Sequence, residues 1–562
     1  MDNKQVADVF ALLAKIMDIH GENSFKIKTY VNAAFQVERL PEQLANLDAA
    51  GISAIKGIGD ATGKKIAELL TTGKLSLLEK YIADTPPGVL EMMYIKGIGA
   101  KKINIIWKEM EIESVGELLY ACNENRLARY KGFGDKTEQN IKAAIEFYLS
   151  RQGFFLYKQA MPYAESIIQI LQKKFPSNSI HTTGDFRRQS ETLEELEFVT
   201  DVSAANIKSF FDEQTGMHFS VEEPGLLKYR MESGPMLKLY CCATENIAST
   251  LFLTTGSASF TNFFRVNYPN ADLEKSRPYE EKSIFENAGL AFIPPYLRED
   301  EKIFELAANN RIPAAITTKD IRGIIHSHST WSDGKQSLEQ MARAAIEQGF
   351  EYLAISDHSR SAGYANGLPI ERIIDQHAEI ENLNKQLAPF KIFKSIESDI
   401  LIDGSLDYPV EILASFDLVI ASIHSGLKMT EEKATARLIK AIENPYTTVL
   451  GHMTGRLLLS RGGYPADHKK IIEACAANNV VIELNANPRR LDMDWRWIRY
   501  AIEKGVMISI NPDAHSTLAF SDVAYGVFAA QKGMLSPASN LSSFTVTELE
   551  AYLANRKKTL QL

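Results

Sequence analysis

The protein has 562 residues, of which 45% are hydrophobic and 24% are charged, and its formal net charge is −9. This length predicts three or more domains, and the composition is sufficient for several hydrophobic cores. No apolar run approaches the length of a membrane span, and the negative charge argues against a protein that coats nucleic acid, although not against a local basic groove.

The N-terminal segment MDNKQVADVFALLAKI is acidic and amphipathic and has none of the features of a secretion signal. The four cysteines show no metal-binding spacing, and the adjacent pair Cys241–Cys242 lies in an apolar run, which favours core packing. These features predict a reducing, cytoplasmic location and no association with a membrane.

Three related stretches lie in the first third of the chain: IKGIGDATGKKI from Ile55, IKGIGAKKINII from Ile95 and YKGFGDKTEQNI from Tyr130. Each has a Lys-Gly-x-Gly core between helical patterns, which predicts a repeated helix–turn–helix unit. The glycines allow a positive φ, and the free N–H groups of the following helix bind phosphate. Structural turns without a ligand are the alternative. The predicted DNA-backbone contacts are Gly57, Gly59, Lys65, Gly97, Gly99, Lys101, Gly132 and Gly134.

Residues 151–318 mix strand and helix patterns. In the stretch GDFRRQSETLEELEFVT from Gly184, Glu195 and Glu197 alternate with apolar residues, as on a strand with one solvated face. A basic pair followed by two acids at positions i and i+2 has the chemistry to hold a metal ion and a triphosphate.

From residue 320 onward, seven short apolar runs alternate with helical segments, which predicts a parallel α/β sheet or barrel. Most runs end in a potential metal ligand, and such ends converge in a barrel. So many ligands imply two or three ions of Zn²⁺, Mn²⁺ or Fe, a set suited to phosphoester hydrolysis. Arg456 and Arg490 are either phosphate clamps or ordinary surface residues. The predicted metal ligands are His326, His328, Asp333, His358, Glu397, His424, His452, Asp513 and His515.

The motifs HSHSTWSDG, ISDHS, IESDI, ASIHSG, GHMTGR and NPDAHS resemble those of the polymerase and histidinol phosphatase (PHP) superfamily, in the same order. The whole chain resembles bacterial family X DNA polymerases with a C-terminal PHP domain. This wider resemblance rests on GENSFKIKTYVNAAFQVERLP, the three Gly-x-Gly repeats, TTGS, GLAFIPPYLRED and DIRG. One departure is Ile324–Ile325, where the family usually has Asp-Leu.

The resemblance implies a multidomain α and α/β fold. Residues 1–150 would form a helical helix-hairpin-helix region, 151–318 a nucleotidyltransferase-like α+β palm and thumb, and 319–562 a distorted (β/α)7 PHP barrel with three metal ions. In the family this barrel supports manganese-dependent 3′–5′ exonuclease activity. The residues that the resemblance implies as catalytic are His326, His328, Asp333, Asp513 and His515.

The polymerase motif departs from the family pattern. The family has Gly-Ser-x-Arg-Arg followed by Gly-Asp-x-Asp, and a third aspartate on a neighbouring strand. Here Asp185 replaces the serine, Glu195 and Glu197 replace two aspartates, and Lys238 stands at the third, while Arg188 is retained. A displaced or missing metal is costly for catalysis. The resemblance therefore implies a degenerate palm that binds Mg²⁺ and deoxynucleotides poorly. Lys65 aligns with the family's Schiff-base lysine, although a lysine that contacts phosphate or is merely solvated is the favoured interpretation.

The sequence thus predicts a DNA-repair enzyme that hydrolyses phosphodiesters at the 3′ ends of gapped or 3′-ended DNA, independently of DNA sequence. The alternatives are an active gap-filling polymerase in base excision repair, a non-catalytic DNA-binding scaffold and a phosphatase for small metabolites. The Gly-x-Gly repeats argue against the last of these.

Overall fold

The structure is a computed structural model of the 562-residue chain. It describes residues 1–38, 40, 42–55, 57–149, 153–232, 234–271 and 280–561. These residues form two compact units, Met1–Tyr148 and Leu149–Leu562. No helix within the described ranges is long and apolar enough to cross a bilayer.

The regular elements of the first unit are all helices within the described residues. Its first helix starts with a capping box, in which Asp2 accepts a hydrogen bond from the backbone N–H of Gln5. Phe10, Leu13 and Met17 of this helix are buried in the core of the unit. The helices are α1 (Asn3–Ile19), α2 (Ser24–Glu38), α3 (Ala49–Ser53), α4 (Asp60–Thr72), α5 (Ser76–Ala83), α6 (Pro87–Glu91), α7 (Ala100–Lys108), α8 (Val115–Asn123) and α9 (Asp135–Leu149).

The second unit begins with a mixed region around a five-stranded sheet of order β2-β4-β7-β6-β5, in which β4 and β7 are parallel. Leu196 and Phe198 face the core beneath α10 and α12, so the predicted one-sided alternation is present. The elements are β1 (Phe155–Leu156), α10 (Tyr157–Lys174), β2 (Ile180–Thr183), α11 (Gly184–Arg187), β3 (Thr192–Leu193), β4 (Glu195–Thr200), α12 (Ala204–Asp212), β5 (Met217–Glu223), β6 (Leu226–Met231) and β7 (Met236–Cys241).

Four further helices follow this sheet and share an aromatic core. Arg298 is fully buried there, and its guanidinium donates to Glu281 Oε1 at 2.6 Å and to the Ile293 carbonyl at 2.9 Å. The helices are α13 (Ile247–Thr255), α14 (Ala258–Asn267), α15 (Glu281–Asn287) and α16 (Ile303–Ala308).

The C-terminal part is a seven-stranded parallel sheet whose strands lie side by side in chain order, as the alternating runs predict. A bridge between Ser327 and Ala514 brings its two edges together, so the sheet is nearly a closed barrel. The elements are β8 (Gly323–Ile324), α17 (Leu338–Glu347), β9 (Tyr352–Ile355), α18 (Ile370–Leu387), β10 (Lys391–Asp399), α19 (Val410–Leu413), β11 (Leu418–Ser422), α20 (Glu431–Ile442), β12 (Thr447–Leu450), α21 (His468–Asn478), β13 (Val481–Asn485), α22 (Ile498–Glu503), β14 (Ile508–Asn511), α23 (Val523–Lys532) and α24 (Val546–Leu560).

The barrel interior changes from apolar to polar along the strands. Near the strand N-termini, Tyr352, Phe393 and Leu418 pack with residues of α24. A few residues further along the strands, Ser356 and Ser395 share a hydrogen bond of 3.0 Å between their hydroxyls. Beyond this layer the interior side chains are carboxylates, amides and imidazoles. The apolar layer closes one end of the barrel and leaves the polar groups at the C-terminal ends of the strands.

The predicted domain limits stay predictions. The limit between residues 150 and 151 falls within residues 150–152, which lie outside the described ranges. The limit near residue 318 lies inside the larger compact unit.

Candidate metal centre

The nine predicted metal ligands come together at the C-terminal ends of the barrel strands. All nine have side chains that are at most 7% exposed. Three sets of ligand atoms lie within 4.8 Å of one another, with His328 and His358 shared between sets. The sets are His328, Asp333, His358 and His515; His326, His328 and Asp513; and His358, Glu397 and His424.

His452 belongs to none of the three sets but is adjacent to them. Its Nε2 lies 2.9 Å from Glu397 Oε1, and Glu397 Oε1 also lies 3.1 Å from His424 Nε2. Glu397 is therefore the carboxylate around which three strand ends converge.

Several buried ligand atoms have no hydrogen-bond partner within the described residues. They include His326 Nε2, His328 Nδ1, His452 Nδ1, both ring nitrogens of His358, and Glu397 Oε2, of which His358 Nδ1 and Glu397 Oε2 lie 3.0 Å apart without hydrogen-bond geometry. Buried polar atoms in proteins are almost always hydrogen-bonded, because an unsatisfied group costs about 1–3 kcal/mol. Coordination of cations accounts for all of these atoms at once. The residues therefore fit a cluster of divalent ions with mixed imidazole and carboxylate ligands.

Two further carboxylates fix the orientation of the imidazoles. Glu483 Oε2 lies 2.7 Å from His326 Nδ1, and Asp399 Oδ1 lies 2.5 Å from His424 Nδ1. In each case the other ring nitrogen is turned toward Glu397. This arrangement is the usual support for a metal-bound histidine.

Neither supporting carboxylate was predicted, although the strand pattern contains a signal for Asp399. Asp399 follows the predicted ligand Glu397 by two residues on β10. Residues two apart share a face of a strand, so Asp399 lies on the face that carries Glu397. Glu483, on β13, has no comparable signal.

Asp357 fixes the loop that follows β8. It accepts hydrogen bonds from the backbone and side chain of Ser329, from those of Ser332, and from the Gln376 amide. Burial raises the pKa of Asp357, and these donors oppose that effect. Asp357 thus has a structural role beside the ligand His358.

The cluster is electrostatically suited to cations. Burial lowers the pKa of His326, but Glu483, Asp513 and Glu397 outweigh it and raise the pKa well above its usual value. Burial raises the pKa of Asp513 and Glu397, but the surrounding histidines outweigh it and hold both pKa values well below the usual range. The carboxylates are therefore ionised and available as ligands. Asp513 also adopts a φ of 52°, a strained conformation often found at functional sites.

The two predicted phosphate clamps lie in different positions. Arg490 is 4% exposed, and its Nε lies 3.7 Å from Asp513 Oδ2, at the edge of the cluster. The Arg456 guanidinium donates to the carbonyls of Arg490 and Leu491 and to the carboxylates of Asp494 and Glu191. Their contacts with phosphate stay predictions.

The three Gly-x-Gly turns have closely similar geometry. The first glycine has a φ of 89° in Gly57, 93° in Gly97 and 95° in Gly132. The second glycine directly precedes α4, α7 or α9, and a Cβ on it would meet no atom within 4 Å. Gly59 and Gly99 cap their helices without a side-chain hydrogen bond. These helix N-termini present N–H groups at an open surface, which suits phosphate.

The central sheet has a lysine where a metal would be expected. In the β4–β7 pairing, Glu197 stands opposite Lys238. Lys238 Nζ lies 3.2 Å from both Glu195 Oε2 and Glu197 Oε2, and the Tyr240 hydroxyl donates to Glu197 at 2.9 Å. Burial lowers the pKa of Lys238, but Tyr240 and the two glutamates raise it above its usual value. The ammonium group therefore forms ion pairs with both carboxylates and cancels one of their two negative charges.

Arg187 and Arg188, which lie beside these glutamates, also form ion pairs and hydrogen bonds within the protein. Arg188 donates to Asp185 and, at 2.7 Å, to the Thr255 carbonyl. Arg187 donates to Thr255 Oγ1 at 2.7 Å and to Glu281. The sequence-predicted residues Asp185, Arg188, Glu195, Glu197 and Lys238 are thus brought together as internal ion pairs.

Comparison with known proteins covers almost the whole chain. Residues 1–75 match a helix-hairpin-helix domain, residues 89–146 a SAM-like helix-hairpin-helix tandem, and residues 325–487 a PHP domain. The DNA polymerase/3′-5′ exonuclease PolX of Bacillus subtilis is 32% identical over 581 aligned positions, which cover 98% of this chain and 99% of the relative. The chain belongs to the PolX family of DNA polymerases.

The C-terminal part has additional relatives outside the PolX family. A probable phosphatase of Thermoanaerobacter sp. is 27% identical over 34% of this chain and 77% of its own length. A probable phosphatase of Acetivibrio thermocellus is 25% identical over 42% of this chain and 96% of its own length. These matches confirm the expected fold class, with helix-hairpin-helix domains at the N-terminus and a PHP domain at the C-terminus.

Proposed function

We propose that this PolX family member is a metal-dependent DNA phosphoesterase that processes 3′ ends at its PHP barrel. The observation that carries the proposal is the convergence of nine buried ligands, several with ligand atoms that lack any hydrogen bond among the described residues. The PolX relative is named a 3′-5′ exonuclease and the PHP relatives are named probable phosphatases, which supports phosphoester hydrolysis.

Different residues of the barrel would hold the ions and contact the substrate. His326, His328 and Asp513, with the other six ligands, would hold two or three ions, for which Mn²⁺ is proposed and Zn²⁺ or Fe is the alternative. Bound ions supply an activated water molecule and neutralise charge on the attacked phosphate. Arg490, at the edge of the cluster, is positioned to contact a phosphate oxygen.

The hairpins would hold the DNA backbone without reading its sequence. Support comes from the open N-termini of α4 and α7 and from Lys65 and Lys101 on those helices. Phosphate contacts of this kind position DNA and carry no sequence information. Gapped or 3′-ended DNA is therefore the proposed partner. A Schiff-base role for Lys65 stays a prediction, as does the cytoplasmic location.

Polymerisation is proposed to be lost or weak. Lys238 is paired with both glutamates that would bind the catalytic metal, and the arginines that would contact a triphosphate are paired with Asp185 and Glu281. Mg²⁺ would have to displace an ammonium group held by two carboxylates. An active gap-filling polymerase is the second candidate, because the PolX relative is named a DNA polymerase and two carboxylates are present on β4.

A single assay separates these functions. Labelled 3′-recessed, gapped and single-stranded DNA is incubated with the protein and Mn²⁺, with and without deoxynucleotides. We expect 3′ shortening, its loss in His326→Ala and Asp513→Ala, and no extension. His468→Ala is the matched control, because His468 lies on α21 and stacks on Trp497, outside the metal cluster.

The other outcomes each identify a different function. Extension by added deoxynucleotides would establish the gap-filling polymerase. DNA binding without shortening or extension would establish the scaffold. Hydrolysis of small phosphate monoesters with no action on DNA would establish the metabolite phosphatase.

A further inference from the structure

A partly buried ion pair joins the region of the central sheet to a loop of the PHP barrel. Arg456 Nη2 lies 2.5 Å from Glu191 Oε1, and their side chains are 14% and 13% exposed. Glu191 lies between α11 and β3, whereas Arg456 follows β12. The pair therefore connects two parts of the second unit that lie 265 residues apart in the sequence.

The remaining donors of Arg456 hold the backbone of the loop that follows β13. Nε donates to the Arg490 carbonyl at 2.9 Å, and Nη2 also donates to the Leu491 carbonyl. Nη1 donates to Asp494 Oδ2 at 3.0 Å. A guanidinium is planar and rigid, so its four acceptors fix one another's positions.

This loop extends to the metal centre. Arg490, whose carbonyl Arg456 holds, places its own Nε 3.7 Å from Asp513 Oδ2. The same oxygen accepts a hydrogen bond of 3.1 Å from Asn485. A continuous series of contacts thus runs from Glu191 through Arg456 and the Arg490 backbone to a predicted metal ligand.

A second set of contacts strengthens the same connection. Arg496 Nη1 lies 2.9 Å from Asp494 Oδ2 and 3.9 Å from Glu191 Oε2. Lys532 is 4% exposed, donates to the Arg188 carbonyl at 2.8 Å and pairs with Glu299. The segment around Glu191 thus contacts the barrel through ion pairs with Arg456 and Arg496 and through the hydrogen bond from Lys532 to the Arg188 carbonyl.

We propose that Arg456 is a positioning residue for the metal centre: Glu191 fixes its guanidinium, which sets the Arg490 backbone and so places Arg490 against Asp513. The central region thereby serves the nuclease as a support even though its own polymerase chemistry is proposed to be lost. The prediction for kcat rests on the proposed function, whereas the prediction for Mn²⁺ affinity does not.

The test uses Glu191→Gln and Arg456→Lys in the full-length protein. Each is measured for the dissociation constant of Mn²⁺ by calorimetry and for kcat and KM on 3′-recessed DNA. Loss of outer support typically costs 10- to 100-fold in metal affinity or activity, so we expect about tenfold weaker Mn²⁺ binding and about tenfold lower kcat. KM for DNA should stay within about twofold, because the Arg456 guanidinium already donates to four protein acceptors, one of them Glu191.

Lys158→Met is the matched control. Lys158 also pairs across the second unit, at 2.5 Å from Asp522, and among the described residues no ion pair or hydrogen bond joins it to residues 486–494, the loop that follows β13. We expect its Mn²⁺ affinity and kcat to equal those of the wild type. Because glutamine has nearly the same shape as glutamate, Glu191→Gln should not disturb folding. It can therefore decide the test even if Arg456→Lys lowers the melting temperature.

Two outcomes would overturn the proposal. One is wild-type behaviour of Glu191→Gln together with a raised, more salt-dependent KM in Arg456→Lys, which would make Arg456 a phosphate contact. The other concerns the double variant Glu191→Gln/Arg490→Lys. If its loss of Mn²⁺ binding free energy equals the sum of the losses in the two single variants, the residues are not coupled, because coupled residues give non-additive effects. A wild-type protein without nuclease activity would refute the proposed function, while the Mn²⁺ titrations would still decide the role of Arg456.

Discussion

At the scale of single residues, we expect Lys238 to decide whether the central sheet can bind a divalent ion. Its ammonium lies 3.2 Å from a carboxylate oxygen of Glu195 and of Glu197. Lys238→Asp removes this positive charge and adds a third carboxylate, which would leave three neighbouring anions that require a cation. We expect the variant to bind at least one more Mg²⁺ per chain than the wild type, as counted by calorimetry.

The control for this prediction is Lys228→Met. Lys228 Nζ is more distant, at 3.9 Å from Glu195 Oε1, so its removal leaves Lys238 in place. An equal number of bound Mg²⁺ ions in Lys238→Asp and the wild type would show that Lys238 is not what prevents metal binding.

Glu483 provides a second test at this scale, because it contacts a ligand and is not itself one of the predicted ligands. Its carboxylate lies 2.7 Å from His326 Nδ1 and also accepts a hydrogen bond of 2.8 Å from Asn511. Glu483→Gln should weaken Mn²⁺ binding by about 10- to 100-fold, as outer-sphere substitutions generally do. Isothermal titration measures this change, and Glu473→Gln, an exposed glutamate on α21, should leave the affinity unaltered.

At the scale of elements, much of the barrel and its site follow from local sequence. Each strand is an apolar run, and most runs end in or near a predicted ligand, so His358 and His424 could be placed from the pattern. The Gly-x-Gly turns were equally predictable, because the positive φ at Gly57, Gly97 and Gly132 requires the absence of a Cβ.

Contacts between distant elements could not be predicted from the sequence. The pairing of Glu191 with Arg456 depends on how the central sheet packs on the barrel, and no local pattern encodes that packing. The family resemblance placed Lys238 on a strand beside Glu195 and Glu197, but its contacts of 3.2 Å with both carboxylates depend on the parallel register of β4 and β7. Long-range pairing of this kind is set by tertiary structure and not by periodicity.

The second hairpin allows a test of the role of the turns in DNA binding. A Cβ on Gly99 would meet no atom within 4 Å, and its backbone is extended, so Gly99→Val should fold normally. The added side chain would nevertheless prevent close approach of a phosphate to the N-terminus of α7. We expect about tenfold weaker binding of gapped DNA, a loss of about 1.4 kcal/mol. Fluorescence anisotropy at fixed salt measures this affinity.

Gly462→Val is the control for this substitution, since a Cβ there also meets no atom within 4 Å, but the residue lies outside the hairpins. Unchanged DNA affinity in Gly99→Val, with an unchanged melting temperature, would remove this turn from the DNA-binding surface.

At the scale of the whole molecule, the two compact units should respond differently to metal removal. All nine predicted ligands lie in Leu149–Leu562, and the first unit contributes none of them. Ions at 100 times their dissociation constant stabilise the folded state by about 2.7 kcal/mol per site. Chelation with EDTA should therefore lower the unfolding temperature of the second unit and leave that of the first unit unchanged.

Differential scanning calorimetry of the full-length protein, with Mn²⁺ and with EDTA, measures both transitions. The assignment of the transitions is checked with His326→Ala, whose second-unit transition should shift much less on chelation because the variant has lost a ligand. A uniform shift of both transitions would mean that metal also binds the hairpin unit or that the units unfold together. The selective shift is expected because binding free energy stabilises only the part of the chain that folds around the ion.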